Sequence, residues 1–131
     1  MIALDTNVVV RFLVADDVAQ SRRARALIER GVSEGDRFFI ADIVLCEIVW
    51  VLDRAYGFAR SQIAGTLRSL VVAKNMTLEN PERVRAALER YSVGRGDFSD
   101  YLIAEAAVAG GCDRVATFDR ALHGDPRFVK V

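Results

Sequence analysis

Short apolar runs that break off at acidic or turn residues alternate along this chain with longer stretches of helical period. That alternation limits the fold more than any other feature. The runs are Met1–Leu4, just ahead of Asp5-Thr6-Asn7, then Arg37–Ala41, Met76–Leu78, Arg114–Thr117 and Phe128–Val131. Such brief runs read as strands rather than helices. Between them, Asp16-Asp17 open an arginine-rich helix with Val18, Ala24, Leu27 and Ile28 on its apolar side and Gly31 or Gly35 as its stop. Ile43 to Tyr56 is long enough for a helix, stopped by Gly57, and Ile63, Leu67, Leu70 and Val71 mark another. Asn80 as cap, Pro81 in first position and Val84, Ala87, Leu88 and Tyr91 in a stripe define the clearest helix. Gly94-Arg95-Gly96 breaks it, and Asp97-Phe98-Ser99-Asp100 opens an alanine-rich helix that ends at Gly110-Gly111. Val8–Val14 stays open between strand, favoured by its β-branched residues, and helix, favoured by the capping residues before it. Strands alternating with helices imply α/β architecture: parallel βαβ units, right-handed crossovers, and helices on both faces of a sheet.

The length of 131 residues points to a single domain, residues 1–131, and the 52% hydrophobic content is that of a folding chain. Eighteen basic residues cancel eighteen acidic ones, which excludes a nucleic-acid coat or a solvating tail. Met1-Ile2-Ala3-Leu4-Asp5 lacks the basic start of a secretory signal, and no apolar run approaches the ~20 residues of a membrane span. Cys46 and Cys112 read as reduced thiols. A soluble cytoplasmic protein is the expectation.

In open α/β sheets ligands bind beyond the carboxyl ends of strands. Asp5 and Asp119 end two of the runs, and Asp100 opens the helix just before the second of these. Glu47 is a further suspect because its helical neighbours Ile43, Trp50 and Val51 are apolar; a carboxylate buried there must be protonated, paired or bound to a cation. Each acid also has a purely structural reading: Asp5, Asp97 or Asp100 as caps, Asp119 as a turn residue, Glu47 as the partner of Arg54. Taken together, acids without an evident basic partner suit a hard cation, Mg²⁺ or Mn²⁺, better than zinc. A lone His123 cannot supply paired catalytic histidines, and Cys46 in apolar company is a poor nucleophile. There is no Gly-rich dinucleotide loop, phosphate loop or nucleophile elbow.

Asp5-Thr6-Asn7 after an apolar strand, Glu47 within a hydrophobic helix, Asp100-Tyr101-Leu102-Ile103-Ala104 and Thr117-Phe118-Asp119, in this order, resemble the PIN-domain family, and particularly its small VapC-type toxins of toxin-antitoxin pairs. The resemblance implies a three-layer α/β/α fold around a central parallel sheet of about five strands with an acidic pocket at its carboxyl edge. It places the catalytic, metal-binding acids on Asp5, Glu47, Asp100 and Asp119, with Asn7 and Thr117 as supports. Asp97 is implied as a further ligand, a holder of an outer water, or the cap. The implied activity is endoribonucleolytic hydrolysis by a Mg²⁺-activated water, leaving 5′-phosphate and 3′-hydroxyl ends, with Mn²⁺ as a substitute. The implied partners are RNA, a small antitoxin and a second copy of the chain. Interface is expected on the helices of residues 42 to 56 and 61 to 73, through Val44, Leu45, Trp50 and Phe58. Glu105 and Leu122 depart from the family pattern at the pocket edge. Arg22, Arg23, Arg25 and Arg95 are candidate RNA contacts, against the plainer reading of an arginine-rich composition.

Two other classes stay in view. A metal-dependent phosphatase also places an aspartate after its first strand but wants Asp-x-Asp, where this chain has Asn7. An inactive PIN-like acidic interaction module would keep the fold without the chemistry; a receiver-like module would need a late lysine that neither Lys74 nor Lys130 supplies convincingly.

Overall fold

A computed structural model describes residues 1–131 and divides them into two compact units, Met1–Pro81 and Glu82–Val131. The first holds β1 (Ile2–Ala3), α1 (Thr6–Leu13), α2 (Val18–Ser33), β2 (Phe38–Ile40), α3 (Asp42–Arg54), α4 (Arg60–Val72) and β3 (Met76–Leu78). The second holds α5 (Pro81–Val93, from its second residue), α6 (Phe98–Ala109), β4 (Val115–Thr117), a 3₁₀ turn over Arg120–Leu122 and β5 (Phe128–Lys130). None of the helices is long and apolar enough to cross a membrane.

In the first unit β1, β2 and β3 pair in that order, all parallel, with Ile2 opposite Phe38 and Phe38 opposite Met76. Two helices lie between each successive pair of strands, as parallel pairing requires. Central β2 buries Phe38 and Ile40 completely, and α3 contributes Leu45, Ile48, Val49 and Leu52, an i, i+3, i+4, i+7 stripe. The open stretch after Asp5 is helix. The Asp5 carbonyl accepts the Val8 and Val9 N–H groups at 3.1 and 3.2 Å, so turn formation at the cap overrides the strand preference of three valines. Gly31 does not stop α2. It lies inside the helix because a side chain there would meet the Phe38 ring, whose Cζ is 2.4 Å from where a Cβ would stand.

In the second unit β4 and β5 pair in parallel, Val115 opposite Phe128. The helices bury Val84, Ala87, Phe98 and Tyr101, with Tyr91 edge-on to Phe98 and Tyr101 edge-on to Phe128. Gly96 is required by close approach: a Cβ would lie 2.4 Å from Leu122, and the Gly96 N–H donates to the Tyr101 hydroxyl at 2.9 Å. The five strands expected are therefore present and parallel, but they are hydrogen-bonded as a sheet of three and a pair rather than as one ladder of five.

Candidate functional site

Asp5 follows β1 directly and occupies the cap position of α1 in extended backbone, φ −77° and ψ 158°. Its carboxylate makes no cap hydrogen bond. The next residue, Thr6, is buried and donates its hydroxyl to Glu47 Oε2 of α3 at 2.6 Å across 41 positions of sequence. The first unit thus brings Glu47 to the start of α1, beside the residue that follows Asp5. The buried apolar setting expected for Glu47 is corrected: the residue is exposed, and its neighbours Ile43 and Trp50 are themselves 61% and 37% exposed. The core face of α3 runs through Leu45 instead, which removes Leu45 from the proposed outer surface. The partner of Glu47 is the Thr6 hydroxyl, not Arg54.

Thr6 is the residue that sequence reading missed. Its only signal was its position between two residues already singled out, because the partner that gives it a role lies on another helix.

In the second unit Asp97 occupies the cap position of α6 without a side-chain cap bond, and Asp100 sits in the first turn, where its Oδ2 accepts the Asp97 N–H at 2.8 Å. The Asp100 carboxyl is held above its ordinary proton affinity. Desolvation is the largest cause and the negative charges of Asp97 and Asp119 add to it, against the opposing pull of the Asp97 N–H. Asp119 follows β4, and its Oδ1 accepts the Ala121 N–H at 2.9 Å, so the turn reading of this residue also holds. Thr117 accepts the Asp119 N–H at 3.0 Å through its hydroxyl, which fixes the bend that presents Asp119. Asn7 is exposed on the first turn of α1.

Four acids outside this set are ion-paired, and eight more, Asp17 and Glu29 among them, are not. Asp16 pairs with Arg11 at 2.8 Å, Glu82 with Arg85 at 2.8 Å, Asp125 with Arg90 at 2.9 Å and Glu105 with Arg127. Asp5, Glu47, Asp97, Asp100 and Asp119 take part in no ion pair. Glu47, Asp100 and Asp119 each have one carboxylate oxygen anchored by a single donor and the other uncommitted. Carboxylates held this way, without a compensating cation from the protein, are suited in donor chemistry to a hard divalent ion such as Mg²⁺. Neither unit by itself gathers three His, Cys, Asp or Glu side chains into a metal-binding cluster. Cys46 is buried, and desolvation first, then the charges of Asp42 and Glu47, push its thiol up to about 11, so it is no nucleophile at neutral pH. His123 is exposed.

Comparison with known proteins adds two findings. The family profile described as PIN domain matches residues 2–124, a span that runs through both units. A protein of Aquifex aeolicus (strain VF5) named as a VapC ribonuclease is 26% identical over 117 residues, covering 89% of this chain and 86% of that one.

Proposed function

This chain belongs to the PIN domain family, and from that premise we propose that it is a single-domain, metal-dependent endoribonuclease, the toxin of a type II toxin-antitoxin pair. The observation that carries the reading is where the acids stand: Asp5 and Asp119 come just after parallel strands, at the edge where α/β sheets bind ligands, and the Thr6 hydroxyl anchors Glu47 at the start of α1.

On this reading Asp5 and Glu47 in the first unit and Asp100 and Asp119 in the second would be ligands for Mg²⁺, with Mn²⁺ as a substitute, and Asp97 would be a further ligand or hold an outer water. A bound divalent cation supplies Lewis acidity toward an RNA phosphodiester and water activation near neutral pH. The chain's own contribution is orientation. The Thr6 hydroxyl fixes one oxygen of Glu47 and so aims the other, the Asp97 N–H does the same for Asp100, and Thr117 sets the bend that carries Asp119. No histidine base is needed, in keeping with a sequence whose one histidine is exposed. The relative's name, VapC ribonuclease, supports RNA as substrate and extends by analogy to a small cognate antitoxin and action in the cytoplasm. We place the homodimer and antitoxin contacts on α3, α4 and the turn between them, where Ile43 and Trp50 are exposed and Val44 and, in the turn, Phe58 half-buried. A monomer by light scattering at micromolar concentration would remove the dimer.

The test is purified, partner-free protein on total RNA with Mg²⁺, Mn²⁺ or chelator. Cleavage that needs the metal and disappears in Asp5→Asn is expected. Chelator-resistant cleavage, or equal cleavage by the variant, overturns the assignment. Phosphate release from monoesters without RNA scission marks a phosphatase, and no reaction at all an inactive interaction module.

A further inference from the structure

Within the first unit α1 and α2 enclose a groove of about 280 Å³, lined by Asn7 and Arg11 from α1 and by Gln20, Arg23 and Leu27 from α2. The spacing explains the lining: Asn7 and Arg11 are four apart, and Gln20, Arg23 and Leu27 lie at i, i+3 and i+7, so each set shares one face of its helix. One lining residue, Asn7, stands on the first turn of α1, two residues beyond Asp5.

Its two arginines differ. Arg11 is fixed on three sides: Nη1 donates to Asp16 at 2.8 Å and to the Tyr56 hydroxyl at 2.9 Å, and Nε donates to Gln20 at 2.7 Å. The Tyr56 hydroxyl in turn donates to the second oxygen of Asp16 at 2.7 Å, which closes the network and balances the charge of Arg11. Arg23 is exposed and makes no ion pair or hydrogen bond. No acidic residue lines the groove, so Arg23 supplies uncompensated positive charge over a wall that includes Val8 and Leu27.

We infer that this groove is a subsite for one nucleotide of single-stranded RNA flanking the scissile bond, with Arg23 contacting the phosphate and the Val8–Leu27 wall receiving the base or ribose. The inference rests on the ribonuclease reading above and names where its substrate lies. An arginine free of other partners can engage a phosphate with two parallel N–H donors. The volume, just under the ~300 Å³ at which small-molecule sites begin, suits a single nucleotide better than a partner helix. Of the other α2 arginines, Arg22 lies outside the groove, and Arg25 is stacked over Phe12 with its guanidinium 5.9 Å from the ring centroid.

The test is steady-state cleavage of a short single-stranded RNA by the full chain with Mg²⁺, at several salt concentrations. Arg23→Glu should raise KM about tenfold or more while kcat at saturation stays within about twofold, since a charged hydrogen bond to substrate is lost away from the reacting atoms. The slope of log KM against log salt should fall by about one. Arg23→Lys should recover most of the affinity, and Arg22→Glu, one residue away and outside the groove, should change KM by less than about twofold. Because Arg23 is exposed, these variants should fold, which circular dichroism checks directly. Unchanged KM in Arg23→Glu overturns the subsite, and so does an equal rise in Arg22→Glu, which would mean a diffuse charge effect. So does an acidic peptide whose competition is lost in Arg23→Glu while KM for RNA is not, since that assigns the groove to a protein segment. If the unmodified chain fails to cleave RNA, the ribonuclease reading falls and takes the subsite with it; if cleavage is intact and only the Arg23 variants are silent, the subsite alone falls.

Discussion

Two neighbouring helices of the first unit begin on aspartate and use it differently. Asp17 at the start of α2 accepts the Gln20 N–H at 2.9 Å, the ordinary work of a cap, whereas Asp5 at the start of α1 makes no such bond. A good cap stabilises a helix by about 1 kcal/mol. The start of α1 forgoes that stability and instead presents a carboxylate beside Thr6 and the Glu47 it holds. The difference teaches that residue type at a cap position does not reveal its role; what the carboxylate is bonded to does.

The strongest way to break the comparison is to neutralise Asp5. Asp5→Asn should lower Mg²⁺-dependent RNA cleavage by at least about a hundredfold, since Lewis-acid stabilisation is worth several kcal/mol, without lowering the melting temperature. A loss of fold accompanying the loss of activity would make Asp5 an ordinary structural residue. Thr6→Val keeps shape and removes the hydroxyl that fixes Glu47. Cleavage should fall roughly ten- to a hundredfold, as for other groups that orient metal-binding carboxylates, and Thr6→Ser should restore most of it. Stability should drop by about 1 kcal/mol from the lost part-buried hydrogen bond, read by denaturant titration. Asp17→Ala is the converse, costing about 1 kcal/mol of stability with kcat and KM unchanged.

Asp100 sharpens the contrast through pH. Its carboxyl binds a proton more tightly in the folded state than in the unfolded one, so protonation favours folding. That contribution is fully present below the ordinary value of 3.8 and is lost as pH rises through the raised folded value. At neutral pH and without metal, Asp100→Asn, which can still accept the Asp97 N–H, should therefore melt at a slightly higher temperature than the unmodified chain. The advantage should shrink as pH falls below the carboxylate range. A variant less stable at pH 7 would show that neither desolvation of the carboxylate nor repulsion from Asp97 and Asp119 is felt.

Much of this could be read from residues, and the exceptions have physical causes. The helix of residues 81 to 93 was legible because cap, proline and apolar stripe agree. The sheet was legible only as a set of strands: segments of two or three residues carry too little period to say which pair with which, and the ladder of three with a separate pair appears only in three dimensions. The orientation of α3 was misread because its sequence is apolar on nearly every side. Leu45 and Trp50 read alike as outer-face residues, and only packing against α1 and α4 buries the first and leaves the second exposed. Among site residues, Asp5 and Asp119 stood out by following strands, whereas Thr6 needed its bond to a residue 41 positions away.

Calorimetric titration of Mn²⁺ into the partner-free chain and into Asp5→Asn tests the central claim most directly, because it asks whether the unpaired acids bind a cation without requiring any substrate. Saturable binding to the unmodified chain is expected, weakened at least about tenfold when one carboxylate is neutralised. Absence of binding to the unmodified chain, or equal binding to both, would contradict the claim.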